Sequence, residues 1–168
     1  GAKVSDKIKV LERLIGHADA IYVGGGMAAT FLKAQGLGIG RSLLDVNLID
    51  FCAEVLRRCE VAGTALRLPT DAVIAQELEA DVPWHVVQVD AVPDEAMILD
   101  IGPDSANTFA KQLGAMGTVV WNGPMGVFEV PPFHAGTRIV AEGLAAGGAT
   151  TVIGGGSTAE AVDVLGLA

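Results

Sequence analysis

Short apolar runs alternate along the chain with longer segments whose apolar residues recur every three to four positions. The first pattern predicts buried strands and the second amphipathic helices. Strands are expected at residues 20–23 (AIYV), 64–68, 86–89, 97–101, 118–121 and 150–153. Leu48, Cys52, Val55, Leu56 and Cys59 share one helical face, while Asp50, Glu54, Arg57 and Arg58 take the other. Further helices are expected at 27–34, from Pro103–Asp104 to about 113, at 134–145, and after Ser157, whose hydroxyl suits an N-cap. Glycine at every second position from Gly36 to Gly40 suits neither regular element and predicts a loop. The alternation predicts one α/β domain without a linker. Its expected architecture is a three-layer, Rossmann-like arrangement with a mostly parallel sheet and helices on both faces.

Charge narrows the partners. Twenty acidic against 11 basic side chains leave a net charge of −9, and nucleic-acid binding needs the opposite balance. No run of about 18 apolar residues suggests a membrane span. The opening GAKVSDK lacks the plan of a secretory signal. Cys52 and Cys59 lie seven apart on one helical face, roughly 10 Å along the axis and too far for a disulfide. Reduced, core-packing thiols in a cytoplasmic protein are expected.

Glycine changes the picture most. The chain has 22 among 168 residues, close to twice the usual share of about 7%. Three expected strands end in it: Val23-Gly24-Gly25-Gly26, Trp121-Asn122-Gly123-Pro124 and Ile153-Gly154-Gly155-Gly156. In a parallel sheet these turns share the carboxyl edge, where ligands of open α/β folds bind. There glycine lets backbone amides approach an anion, and a following helix adds its unpaired donors. The arrangement suits a nucleotide. The phosphate loop of Walker-type enzymes is missing. Residues 24–29 and 154–159 both fit the relaxed G-x-G-x-x-A dinucleotide pattern, and the first has Asp45 about 20 residues on, where an acid would hold a ribose. A nicotinamide or flavin site and a non-catalytic nucleotide-binding module therefore stay open.

Longer motifs separate these readings. GAKVSDKI at the start, GGGMAATFLKAQG from Gly24, LPTD from Leu68, LDIGP from Leu99, WNGPMGVFE from Trp121 and IGGG from Ile153 resemble, in order, the signatures of phosphoglycerate kinases. The resemblance implies reversible phosphoryl transfer between 1,3-bisphosphoglycerate and MgADP, giving 3-phosphoglycerate and ATP. It further implies that the chain is most of the carboxyl-terminal, nucleotide-binding domain, incomplete at both ends. The amino-terminal domain that holds the phosphoglycerate would be absent, and so would the closing STGGGA segment. The fragment is then expected to be inactive alone, and the parent enzyme to be monomeric and cytoplasmic.

By the same resemblance, Lys3 would stabilise the transferring group and Lys7 would hold nucleotide phosphates. Gly24, Gly25 and Gly26 would shape the adenine pocket, with Ile98 and Leu99 beside the base. Asn122, Gly123 and Pro124 would line the ribose and phosphates, Glu129 would accept from ribose hydroxyls, and Gly154, Gly155, Gly156, Ser157 and Thr158 would donate to the phosphates. Two departures stand out. Ser157 occupies the position where the family carries an Asp for Mg²⁺, and a neutral hydroxyl is a poor replacement; Glu160, one turn on, is a candidate substitute. Ile98 replaces a common glycine and would narrow the pocket.

Overall fold

A computed structural model describes all 168 residues. Two short 3-10 turns, Val4–Lys7 and Val46–Leu48, precede helices α1 (Ile8–Leu14) and α3 (Ile49–Ala62), with α2 at Gly26–Ala34. Then come α4 (Pro103–Gly114), α5 (Ala135–Ala146) and α6 (Gly156–Val164). The strands are β1 (Ala20–Tyr22), β2 (Ala65–Arg67), β3 (Asp71–Ala75), β4 (Trp84–Gln88), β5 (Met97–Ile101), β6 (Thr118–Asn122) and β7 (Thr150–Gly154).

The α/β class holds, and its parallel pairing lies in two places. β1 runs parallel to β2, and β6 runs parallel to β7. Between these pairs in sequence comes an antiparallel trio in the order β4-β3-β5. Connection length explains the reversal. Residues 76–83 join β3 to β4 without a helix, and a parallel return would need a crossover of a dozen or more residues.

β3 is the strand that periodicity does not reveal. Its sequence DAVIA is buried at every position, so no polar–apolar alternation marks it, and it opens on a charge. That charge has a structural use. Asp71 is buried, and its carboxylate accepts the amides of Asp104 at 3.0 Å and Ser105 at 2.9 Å. It thereby takes two of the unpaired donors at the start of α4 from across the fold. Ser105 returns its hydroxyl to the amides of Thr70 and Asp71.

The two largest of five buried clusters support the parallel strand pairs. Val4, Leu11, Ile21, Phe31, Cys52, Val55 and Cys59 pack α1, β1, α2 and α3 together. Both cysteines are free and buried, and burial is the main cause pushing each thiol upward in pKa, that of Cys52 to about 12. The second core joins Phe109 of α4, Val119 and Trp121 of β6, Val140 and Leu144 of α5, and Val162 of α6. Tyr22 bridges the two: its ring meets Phe109 edge-on at 5.0 Å, and its hydroxyl donates to Gln112 at 2.8 Å. The other side of the β6–β7 pair is open, with Val120 69% and Val152 53% exposed.

Truncating Asp71 would strand two amides at the α4 start. Asp71→Ala is expected to cost about 1–3 kcal/mol of stability, read as a lowered urea midpoint at unchanged slope; an unchanged midpoint would contradict the assignment.

Candidate functional site

The turns after β1, β6 and β7 converge with the whole length of β5 on a cleft of about 610 Å³. Lys3 and Lys7 reach it from the first turn, Gly25 and Gly26 from the β1–α2 turn, and Ile98 and Leu99 from β5. Asn122 at the end of β6 lines it together with Gly123, Pro124 and Glu129 of the following loop, and Gly155, Gly156, Ser157 and Thr158 line it from the cap and first turn of α6. Two expected residues lie elsewhere. Gly24 packs against Met125 and faces a neighbouring apolar groove of about 410 Å³. Gly154 ends β7 beside the Asn122 side chain.

Hydrogen bonds tie these separate segments together. The Gly25 amide donates to the Met125 carbonyl at 2.9 Å, joining the β1 turn to the β6 loop. The Gly123 amide donates to the Thr158 hydroxyl at 2.6 Å, joining that loop to α6. Trp121 Nε1 donates to the Gly123 carbonyl at 2.7 Å and tightens the turn from within. Lys7 Nζ donates to Asn122 Oδ1 at 2.9 Å. The turn that carries both lysines is held by Asp45, whose Oδ2 accepts the Val4 amide at 2.7 Å.

The two glycine-led helix starts are not equivalent. Gly25 at φ +66° and Gly155 at φ +85° turn the chain into α2 and α6 through the region that glycine alone enters cheaply. At α2 the Met27 amide is already taken by the Gly1 carbonyl at 2.9 Å. At α6 the N-cap is Gly155, and no side chain caps the helix. Ser157 is therefore not the expected cap; it lies inside the first turn. The reason is that the positive-φ glycine ends the strand two residues earlier than a serine cap would. The first-turn amides of α6 keep no intrahelical partner, and they line the cleft with the positive end of the helix dipole.

Away from α6 the cleft turns apolar, lined by Leu32, Leu43, Leu78, Met97 and Ile98. Leu43 is 75% exposed at this end. Leu99 is almost fully buried and packs with Val73, Ala75 and Phe133, so most of its side chain serves the core. Ile98 is half-buried against Ala29 and Leu32. Apolar walls at one end and amides with lysines at the other can hold a flat heterocycle joined to phosphates.

Acids around the cleft do not assemble a metal site. Asp6, Asp100 and Glu129 line it, but no group of three His, Cys, Asp or Glu is placed to hold an ion. Glu160 is exposed and outside the lining, so it does not stand in for an acid at Ser157. Asp45, which the dinucleotide pattern would need for a ribose, is engaged with the first turn and does not line the cleft.

Asp100 is the residue that sequence reasoning missed. Burial pushes its carboxyl up to about 7, against the opposing effect of the Gly136 and Ile101 amides that it accepts. A lone charge inside the apolar run MILDI was the available signal. At the α5 N-cap, His134 keeps Nδ1 buried without a partner, and burial and then Arg138 lower its pKa.

The family model described as Phosphoglycerate kinase matches residues 1–168. A phosphoglycerate kinase of Moorella thermoacetica is 48% identical over 168 residues, covering 100% of this chain and 43% of that protein. One of Kineococcus radiotolerans is 50% identical over 172 residues, covering 100% of this chain and 42% of that protein. The solved phosphoglycerate kinase from Coxiella burnetii superposes with a TM-score of 0.97 at 42% identity, over 99% of this chain and 43% of that one. That from Pyrococcus horikoshii gives 0.82 at 27% identity, over 98% and 42%. The chain thus spans less than half the length of the relatives it matches.

Thr158→Val would keep the shape of the α6 start and leave the buried Gly123 amide unpaired. It is expected to lower stability by about 1–3 kcal/mol and to raise the hydrogen-exchange rate at Gly123. Unaltered exchange there would show that the hydroxyl does not hold the loop.

Proposed function

The chain belongs to the phosphoglycerate kinase family, and from this we propose that it is the nucleotide-binding part of such an enzyme. The reaction is reversible phosphoryl transfer from 1,3-bisphosphoglycerate to MgADP, giving 3-phosphoglycerate and ATP. The observation that carries the reading is the open start of α6, whose unpaired amides line the same cleft as Lys3 and Lys7. Such a site matches the polyanionic end of a nucleotide, and the apolar end beyond Ile98 matches its base.

Phosphoryl transfer asks the protein mainly to position the reactants and to neutralise charge on the transferring oxygens. A β-phosphate oxygen of ADP bonds to the incoming phosphorus, and the acyl carboxylate leaves. Lys3 makes no hydrogen bond or ion pair within the chain, so its ammonium is free to meet the transferring group. Lys7, already directed at Asn122, would hold nucleotide phosphates together with the amides of Gly155, Gly156, Ser157 and Thr158. Asn122, Gly123 and Pro124 would bound the ribose and phosphates, Glu129 would accept from the ribose hydroxyls, and Gly25, Gly26, Ile98 and Leu99 would shape the base pocket. Gly24 and Gly154 would act one layer back, setting the turns. Mg²⁺ enters as part of the nucleotide substrate, and the chain's own residues supply no cluster for it.

The phosphoglycerate would be presented by a part of the parent enzyme outside these residues, so this chain alone is expected to bind nucleotide without turnover. No helix is long and apolar enough to cross a membrane, and the parent is proposed to be a monomeric, cytoplasmic, glycolytic kinase. A dinucleotide reading loses its main support because Asp45 is engaged elsewhere.

Calorimetry with ADP, MgADP and NADH separates these readings. ADP is expected to bind with and without Mg²⁺, NADH not to bind, and the chain mixed with 1,3-bisphosphoglycerate and MgADP to form no ATP above background. Tight NADH binding without ADP binding would overturn the nucleotide assignment, and ATP formation would overturn the fragment assignment.

A further inference from the structure

Asp100 is only 1% exposed, yet no basic side chain pairs with it. A buried carboxyl in that position is costly unless its oxygens are satisfied and something gains from them. Its partners are all backbone. Oδ2 accepts the Gly136 amide at 2.7 Å, in the first turn of α5, and Oδ1 accepts the Ile101 amide at 2.9 Å. The 122–129 loop presses on the same group from a third side: a methyl added at Gly126 would lie 2.4 Å from Oδ1. Two of the loop's other ties lead to the same two elements, for the Val127 amide donates to the Leu99 carbonyl at 2.9 Å and the Met125 amide to the Thr137 hydroxyl at 3.0 Å. Strand β5, the start of α5 and the cleft loop therefore meet at one carboxyl.

We propose that Asp100 is a positioning residue for nucleotide binding: it pins the start of α5 and seats Gly126, and so fixes the loop that carries Asn122, Gly123, Pro124 and Glu129 into the cleft. The proposal rests on the nucleotide reading given above. Both oxygens must accept, because both partners are amides. An Asn at this position presents an NH₂ to one of them, leaving a donor against a donor at nearly unchanged volume. The loop then loses its seat while the apolar core around it stays filled.

The experiment compares Asp100→Asn and Gly126→Ala with Asp71→Asn, which disturbs an equally buried carboxyl that caps α4 and does not line the cleft. ADP affinity is read by calorimetry, stability by thermal unfolding, and loop order by hydrogen exchange at Met125 and Val127. Asp100→Asn and Gly126→Ala are expected to weaken ADP about tenfold or more, the size of one lost buried hydrogen bond, and to speed exchange at both loop amides. Asp71→Asn is expected to lower the melting temperature and leave both readouts unchanged. ADP affinity and loop exchange that stay at wild-type values in Asp100→Asn would overturn the proposal, as would an equal loss of ADP binding in Asp71→Asn. If Asp100→Asn does not fold, Gly126→Ala decides by the same two readouts. If the unsubstituted chain binds no ADP, the nucleotide reading falls, and exchange at Met125 and Val127 alone decides whether Asp100 seats the loop.

Discussion

The Gly25 amide and the Met125 carbonyl meet at 2.9 Å where two separately hydrogen-bonded strand pairs come together. β1 pairs with β2 and β6 with β7, and no ladder runs between the two pairs. Their common edge is held instead by the bonds of Gly25 to Met125 and of Lys7 to Asn122, while Gly123 to Thr158 fixes the β6 loop to α6. The cleft exists because these bonds gather the carboxyl ends of the strands at one place. Two of the three donors are backbone amides and the third is the Lys7 ammonium, so the gathered surface is rich in donors. Glycine at the turns follows from this, since a side chain at Gly26 would lie 2.3 Å from the Ala2 carbonyl.

The chemistry of the cleft follows from which donors remain unspent. The α2 start gives an amide to Gly1, whereas the α6 start keeps its own. Lys3 and Lys7 add positive charge in a chain whose net charge is −9. A local positive site on an acidic protein selects for anions that also fit its shape, and the apolar walls at Leu43, Leu78 and Ile98 supply the second half of that selection. The same economy explains why the buried acids matter. Asp71 and Asp100 are both enclosed by amides; one secures the start of α4 without lining the cleft and the other sits in its wall.

Much of the fold was legible because strands that end in glycine or proline are bounded apolar runs, and the helices that follow carry clear apolar faces. β3 was not, because burial on both sides erases alternation and its opening Asp71 resembles a turn residue. The antiparallel trio was equally hidden, since strand direction depends on the helix-free connections around β3 and β4. At the site, the glycine turns and lysines could be read from motifs, and 14 of the 16 expected positions line the cleft, with Gly24 and Gly154 set behind it. Two features depend on the folded arrangement. The capping of α6 by Gly155 rather than Ser157 depends on a φ angle, and the role of Asp100 depends on Gly126 and Gly136, which are 26 and 36 residues away in sequence.

The most direct test of the nucleotide assignment is a titration of the isotopically labelled chain with ADP, followed by amide resonances. The amides of Gly25, Gly123, Gly155, Gly156 and Ser157 are expected to shift together and saturate at one affinity, while those of β4 and the outer face of α3 stay still. Shifts confined to the apolar groove beside Gly24, or no saturable shift at the start of α6, would contradict the assignment.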